Sequence, residues 1–205
     1  MHIVKLLFLF LLALLLGGCS DRLEPLPPLA ADAHILAFGD SLTFGSGAPG
    51  DQSYPAILQT LIGREVINAG IPGEVSTAGL RRLPALLDEY QPQLLLLCHG
   101  GNDMLRRHGA EQMAENLQAM VELAQARGIP VVLLGVPKPA IFGLKSADEY
   151  YAVARATGSP LEDRIIPRVL ADKDLKSDQV HPNAEGYRQM AEAVHALLKK
   201  AGAVN

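Results

Sequence analysis

The chain has 205 residues, 49% of them hydrophobic, and a net charge of −4 with no run of like charges. That length supports one domain with a substantial core. The charge pattern excludes the basic stripe that a nucleic acid would select.

Met1-His2-Ile3-Val4-Lys5 precedes Leu6 to Leu16, a run of leucine, phenylalanine and alanine. It is too short to span a bilayer comfortably and fits the core of a secretory signal. It ends Leu16-Gly17-Gly18-Cys19-Ser20, which resembles the lipobox of bacterial lipoproteins. The resemblance implies cleavage before Cys19 and lipid on that cysteine; an ordinary signal with an incidental cysteine, or an uncut anchor, is the alternative. Ser20, in place of the aspartate that favours inner-membrane retention, implies the outer membrane. Residues 1–18 are therefore read as signal peptide and 19–33 as a lipid-anchored tether, extended by Pro25, Pro27 and Pro28. Lipidation would leave Cys98 alone, and its apolar surroundings suit a small buried hydrophobe.

From residue 34 the chain alternates strand, loop and helix. His34 to Phe38 reads as a buried strand, followed by Gly39-Asp40-Ser41-Leu42 and a glycine-rich loop. Tyr54 to Ile62 has helical spacing and stops near Gly63. Val66-Ile67-Asn68 predicts a short strand, and Thr77 to Tyr90 a helix that Pro84 should kink or divide. Gln93 to Cys98 predicts a strand buried on both faces, opening into His99-Gly100-Gly101-Asn102-Asp103. Glu111 to Arg127 is amphipathic, with Met113, Leu117, Met120, Val121 and Ala124 on one side. Pro130 to Gly135 is the next buried strand. After a variable stretch and a helix ending near Gly158, a strand around Pro160-Leu161 is weakly marked, because Glu162 and Asp163 interrupt it. The last helix starts after Asn183 and runs to Lys199-Lys200. Such alternation predicts an α/β fold with a parallel sheet between helical layers, and its glycine-rich loops should meet beyond the carboxyl ends of the strands.

Hydrolysis of an ester through serine needs a nucleophile, a base, an orienting group for the base and donors for the oxyanion. Ser41 is the candidate nucleophile, leaving a strand where Gly39 allows a sharp turn. By itself the tetrapeptide does not separate a nucleophile from a turn residue. His181 is the candidate base, and Asp178, three residues earlier, is placed to orient it. Asp-x-x-His is also compatible with a metal pair or a capping turn, although no second carboxylate–histidine cluster lies nearby in the sequence. Asn102 offers a side-chain amide and Gly73 a backbone N–H; plain turn chemistry is the alternative for both. His99 is a competing base, but its position beside a strand end suits packing or hydrogen bonding. His34, His108 and His195 have no partner pattern.

Gly39-Asp40-Ser41-Leu42, Asn68-x-Gly70-x-x-Gly73, Gly100-Gly101-Asn102-Asp103 and Asp178-x-x-His181 occur in this order. Together they resemble the four motif blocks of the SGNH, or GDSL-type, hydrolase superfamily, and within it the bacterial arylesterase and periplasmic thioesterase/lysophospholipase group. The resemblance implies a three-layer α/β/α flavodoxin-like fold over residues 34–205. It implies Ser41, Asp178 and His181 as a triad, and Ser41 N–H, Gly73 N–H and the Asn102 amide as an oxyanion hole. It implies an acyl-serine intermediate and no metal or other cofactor.

The expectation is a serine esterase acting on short to medium acyl esters, aryl esters or lysophospholipids. It would be lipid-anchored in the bacterial cell envelope, facing the periplasm, with a monomer favoured. A carbohydrate deacetylase acting on O-acetyl glycans would share the same machinery, and a non-catalytic binding lipoprotein is the reading from another class. Phe142, Leu144, Tyr150 and Tyr151 suit either an acyl groove or the core.

Overall fold

The computed structural model of the chain describes residues 23–138 and 143–205. Strands β1 (His34–Gly39), β2 (Glu65–Gly70), β3 (Leu94–Cys98), β4 (Val131–Leu134) and β5 (Leu161–Glu162) form one sheet in the order β2-β1-β3-β4-β5. Every pairing is parallel. The inner strands are the apolar runs: β3 and β4 are buried throughout and β1 beyond its first residue. Burial on both faces removes any need for polar alternation. The outer strands β2 and β5 are only partly covered, and β5 is two residues long where the charged pair Glu162-Asp163 ends the run.

Helix α1 is the short Ser41–Phe44, and α2 is Tyr54–Ile62. Helices α3 (Ser76–Tyr90), α4 (Gly101–Arg106), α5 (Ala110–Gln125), α6 (Asp148–Thr157), α7 (Ile165–Ala171) and α8 (Ala184–Lys200) complete the set among the described residues. Helix α2 packs on α8, whereas α5 packs between α3 and α6 and against both. These two groups form the outer layers of an α/β/α sandwich. The five apolar residues expected on one side of α5 are all fully buried. No helix among the described residues is long and apolar enough to cross a membrane.

Two expectations change. Pro84 does not divide α3, which runs unbroken from Ser76 to Tyr90. The backbone bond that proline forfeits is one of many, and Leu83 and Leu87 on either side are buried, so packing carries the helix through. The second change concerns the tether. From Leu23 onward it lies along the domain, with Leu26 and Leu29 buried in the core. The N–H groups of Leu26 and Leu29 donate to the carbonyls of Ala201 and Ala203 at 2.8 and 2.9 Å. Arg64 clamps the same segment by donating to the carbonyls of Ala30 and Leu29. Regularly spaced leucines among prolines were the available signal.

Register decides where chemistry can gather. Gly39, the last residue of β1, pairs with Gly70 on one side and Cys98 on the other. Three strands therefore release their loops at one level, and β1 lies between them at the point where the chain's crossovers reverse direction.

A protein beginning at residue 34 should unfold at lower urea concentration than one beginning at residue 23. Each buried leucine contributes roughly 1.5–3 kcal/mol. Equal midpoints in the two proteins would return residues 23–33 to the status of a tether.

Candidate active site

At the end of β1 the backbone has no room for a side chain. A Cβ on Gly39 would sit 2.0 Å from the Cys98 carbonyl oxygen and 2.3 Å from Thr43 Oγ1. Asp40 then starts α1, its Oδ1 accepting the Leu42 N–H at 3.1 Å. Ser41 follows at the first helical position, where its own N–H has no intrahelical acceptor. Asp40 is 1% exposed. Burial raises its carboxyl above the ordinary range, against the opposing pull of His99, the Leu42 N–H and His181.

His181 reaches Ser41 from the far end of the chain. Its Nε2 lies 3.0 Å from Ser41 Oγ, and its Nδ1 lies 2.7 Å from Asp178 Oδ2. The other carboxylate oxygen of Asp178 accepts the N–H groups of Val180 and His181, which closes the turn. Burial pushes Asp178 upward, but the bonds from the His181 ring and from these two amides prevail and hold it below its usual value. The turn is pinned to its surroundings. Ser177 N–H donates to the His181 carbonyl, Asn183 caps α8 through Gly186 N–H, and Tyr187 Oη donates to the Ser46 carbonyl at 2.8 Å. This last bond joins the helix that follows His181 directly to the loop that follows Ser41.

The Asn102 amide, at the start of α4, donates to the Glu74 carbonyl at 3.0 Å and more loosely to Asp40 Oδ2 at 3.3 Å. Gly73, in the left-handed region at φ 78°, lies in the loop after β2, and its carbonyl accepts from Arg106. Among the described residues its N–H has no acceptor. Ser41, Gly73, Asn102 and His181 thus border one cavity of about 790 Å³. Leu105, Val136, Leu144, Leu170 and Val180 supply much of its apolar wall.

Of the aromatic and aliphatic residues weighed for an acyl groove, Leu144 lines this cavity. Tyr150 is core, with its hydroxyl donating to the His99 carbonyl at 2.6 Å, and Tyr151 donates to Asp163. Phe142 and Cys19 lie outside the described residues. Among those residues no group of three His, Cys, Asp or Glu side chains is gathered as for a metal ion.

Sequence reasoning missed a buried polar cluster beside Gly73 and Asn102. Glu74 accepts two bonds from Arg82, Nε to Oε1 at 2.8 Å and Nη2 to Oε2 at 2.7 Å, and His99 Nε2 lies 3.1 Å from Oε2. His99 Nδ1 accepts the Gly100 N–H, which places the ring hydrogen on Nε2 and makes it the donor to Glu74. Burial alone would raise Glu74; the His99 bond and the bonds and charge of Arg82 overcome it and hold the carboxyl at about 2. The signal was the helical spacing that sets Arg82 one turn from Gly79, on the buried side of α3.

The model of the GDSL-like Lipase/Acylhydrolase family matches residues 37–189. The chain is 34% identical to Esterase TesA of Pseudomonas aeruginosa over 197 residues, which cover 91% of this chain and 98% of that protein. It is 29% identical to the Thioesterase 1/protease 1/lysophospholipase L1 of Escherichia coli over 170 residues, 80% of this chain and 82% of that one. Its fold matches the crystal structure of the psychrotrophic esterase EstA from Pseudoalteromonas, inhibited by monoethylphosphonate. The TM-score is 0.74 at 27% identity, over 82% of this chain and 98% of that chain.

The depressed Glu74 carboxyl has a stability consequence. A folded value of about 2 against an unfolded value of 4.5 means the stabilisation is complete above 4.5 and is lost as pH falls through 2. Its size is at most about 3.5 kcal/mol. Glu74→Gln should therefore be less stable than the parent at pH 7, and the difference should shrink between pH 4.5 and pH 2. Urea midpoints measured across that window check this; a difference independent of pH would contradict it.

Proposed function

The chain belongs to the GDSL-like Lipase/Acylhydrolase family and is a serine ester hydrolase, and we propose that Ser41, His181 and Asp178 carry out its reaction. The observation that carries this assignment is the two-sided contact of His181, 3.0 Å to Ser41 Oγ and 2.7 Å to Asp178, at the edge of the cavity.

Ser41 Oγ attacks the ester carbonyl while His181 Nε2 takes its proton. Asp178 holds the imidazole through Nδ1–H and stabilises the imidazolium. The carbonyl oxygen becomes an oxyanion facing the N–H groups of Ser41 and Gly73 and the Asn102 amide. Collapse breaks the C–O bond of the leaving group, which departs as an alcohol with the proton from His181. Water then attacks the acyl-serine, again giving its proton to His181. The carboxylic acid leaves as Oγ recovers that proton. The steps as drawn use no metal or cofactor.

The cavity's size and apolar wall favour acyl groups of short to medium length or aryl esters over acetyl alone. A relative named as a lysophospholipase keeps lysophospholipids among the candidate substrates. The inhibition of EstA by a phosphonate accords with tetrahedral stabilisation of this kind. We place the enzyme on the periplasmic side of the bacterial envelope, anchored through lipid on Cys19 and, with Ser20 following, in the outer membrane. Residues 1–18 would be its cleaved signal. The run Leu16-Gly17-Gly18-Cys19 supports this reading.

The first test is hydrolysis of p-nitrophenyl esters, from acetate to a long acyl chain, by protein lacking its first nineteen residues. Ser41→Ala should lose on the order of 10⁴-fold or more in kcat, and the parent should prefer a chain longer than acetate. Equal rates would remove Ser41 from the mechanism. A preference for acetate, with higher activity on acetylated glycans, would favour a deacetylase.

The anchor is tested separately. Cys19→Ser should move the protein from the membrane to the soluble fraction, and mass spectrometry of the parent's N-terminal peptide should show acyl groups on Cys19. An unmodified cysteine in a membrane-bound parent would exclude the lipoprotein.

A further inference from the structure

Glu74 does not reach Ser41, yet it sits between the two donors assigned to the oxyanion. Its backbone follows Gly73, whose N–H is one donor, and its carbonyl accepts from the Asn102 amide, the other. Its side chain is 7% exposed, and that of His99 is fully buried. The carboxylate is gripped by both prongs of Arg82 and by His99.

The grip extends to the strand ends. Arg82 Nη2 also donates to the Ala69 carbonyl at 2.8 Å and to the Gly39 carbonyl at 3.2 Å, and its guanidinium lies 4.1 Å above the Phe38 ring. His99 is the residue after β3 and leads into Gly100-Gly101-Asn102. The fold makes room for this imidazole. A Cβ on Gly79, in the first turn of α3, would come within 2.5 Å of His99 Nε2. Glycine is a poorer helix former than alanine, and here it opens the slot that the ring fills.

From this arrangement we propose that Glu74 is a positioning residue for the oxyanion hole. With its carboxylate clamped by Arg82 and His99, its carbonyl aims the Asn102 amide and its backbone sets the Gly73 N–H. The inference rests on Asn102 and Gly73 being the oxyanion donors. Oxyanion stabilisation depends on donors fixed before charge develops. A displacement of about 1 Å in such a group can cost on the order of 10²-fold in rate. A carboxamide at position 74 keeps the size and loses the charge that both partners grip. Lysine at 82 keeps the charge and loses the two-pronged geometry.

The test is a double-mutant cycle on kcat for a p-nitrophenyl ester, with thermal unfolding recorded for every variant. Glu74→Gln should lower kcat on the order of 10²-fold, with KM changed less than about threefold because ground-state binding is untouched. Arg82→Lys should shift kcat in the same direction, and it decides the matter if Glu74→Gln does not fold. Asn102→Ala should lose about 10²–10³-fold. Adding Glu74→Gln to it should cost less than about threefold more, since the group being aimed is gone.

A folded Glu74→Gln or Arg82→Lys within threefold of the parent, beside an impaired Asn102→Ala, overturns this inference alone. Losses that simply multiply in the double variant do the same, since they show Glu74 acting independently of Asn102. A fully active Asn102→Ala overturns the oxyanion assignment, and the positioning role falls with it.

Discussion

A buried carboxylate, Glu74, is the point on which the active-site face depends. An anion removed from water costs several kcal/mol unless it is paired and hydrogen-bonded. Glu74 meets both conditions through the fork of Arg82 and the ring of His99. Because Arg82 also holds carbonyls at the ends of β1 and β2, and His99 follows β3, a single ion pair ties together three strand ends. Register completes the constraint. Gly39, Gly70 and Cys98 stand side by side, so the loops carrying Ser41, Gly73 and Asn102 leave the sheet at one level.

The remaining part of the site arrives from the other end of the chain and is secured by different means. Tyr187, Asn183 and the Ser177–His181 backbone bond fix the turn that presents His181. The surrounding carboxylates are pushed in opposite directions. Asp40, buried next to Ser41, is raised by burial. Asp178, with its side chain 53% exposed, is lowered by the bonds it accepts. Negative charge is therefore favoured on the far side of His181 from Ser41, where the proposed mechanism needs it.

The strands were legible wherever burial on both faces imposed a continuous apolar run, as in Leu94–Cys98 and Val131–Leu134. They were faint where an edge strand needs little covering, as at Leu161–Glu162. Pro84 leaves α3 undivided because the packing of Leu83 and Leu87 on each side of it, which local propensity cannot register, carries the helix through. The segment around Leu26 and Leu29 was taken for a tether because its prolines dominate its composition, whereas its contacts lie with Ala201, Ala203 and Arg64 far along the chain. Glu74 and Arg82 carry no signal when taken alone, and His99 beside a strand end suits packing or hydrogen bonding without naming a partner. Their meaning lies in the pairing.

The sequence by itself determined the kinds of chemistry available and the fold that gathers them. Alternating apolar runs and amphipathic helices dictate a parallel sheet, and a parallel sheet delivers its glycine-rich loops to one edge. Only the tertiary structure decided that residues 140 positions apart, Ser41 and His181, stand 3.0 Å from each other, and which carboxylates lose their water. The reason is one of range. Backbone sterics and hydrophobic periodicity act over a few residues and can be read along a chain. Desolvation and electrostatic pairing depend on what surrounds a group in space, and only the assembled fold supplies those neighbours.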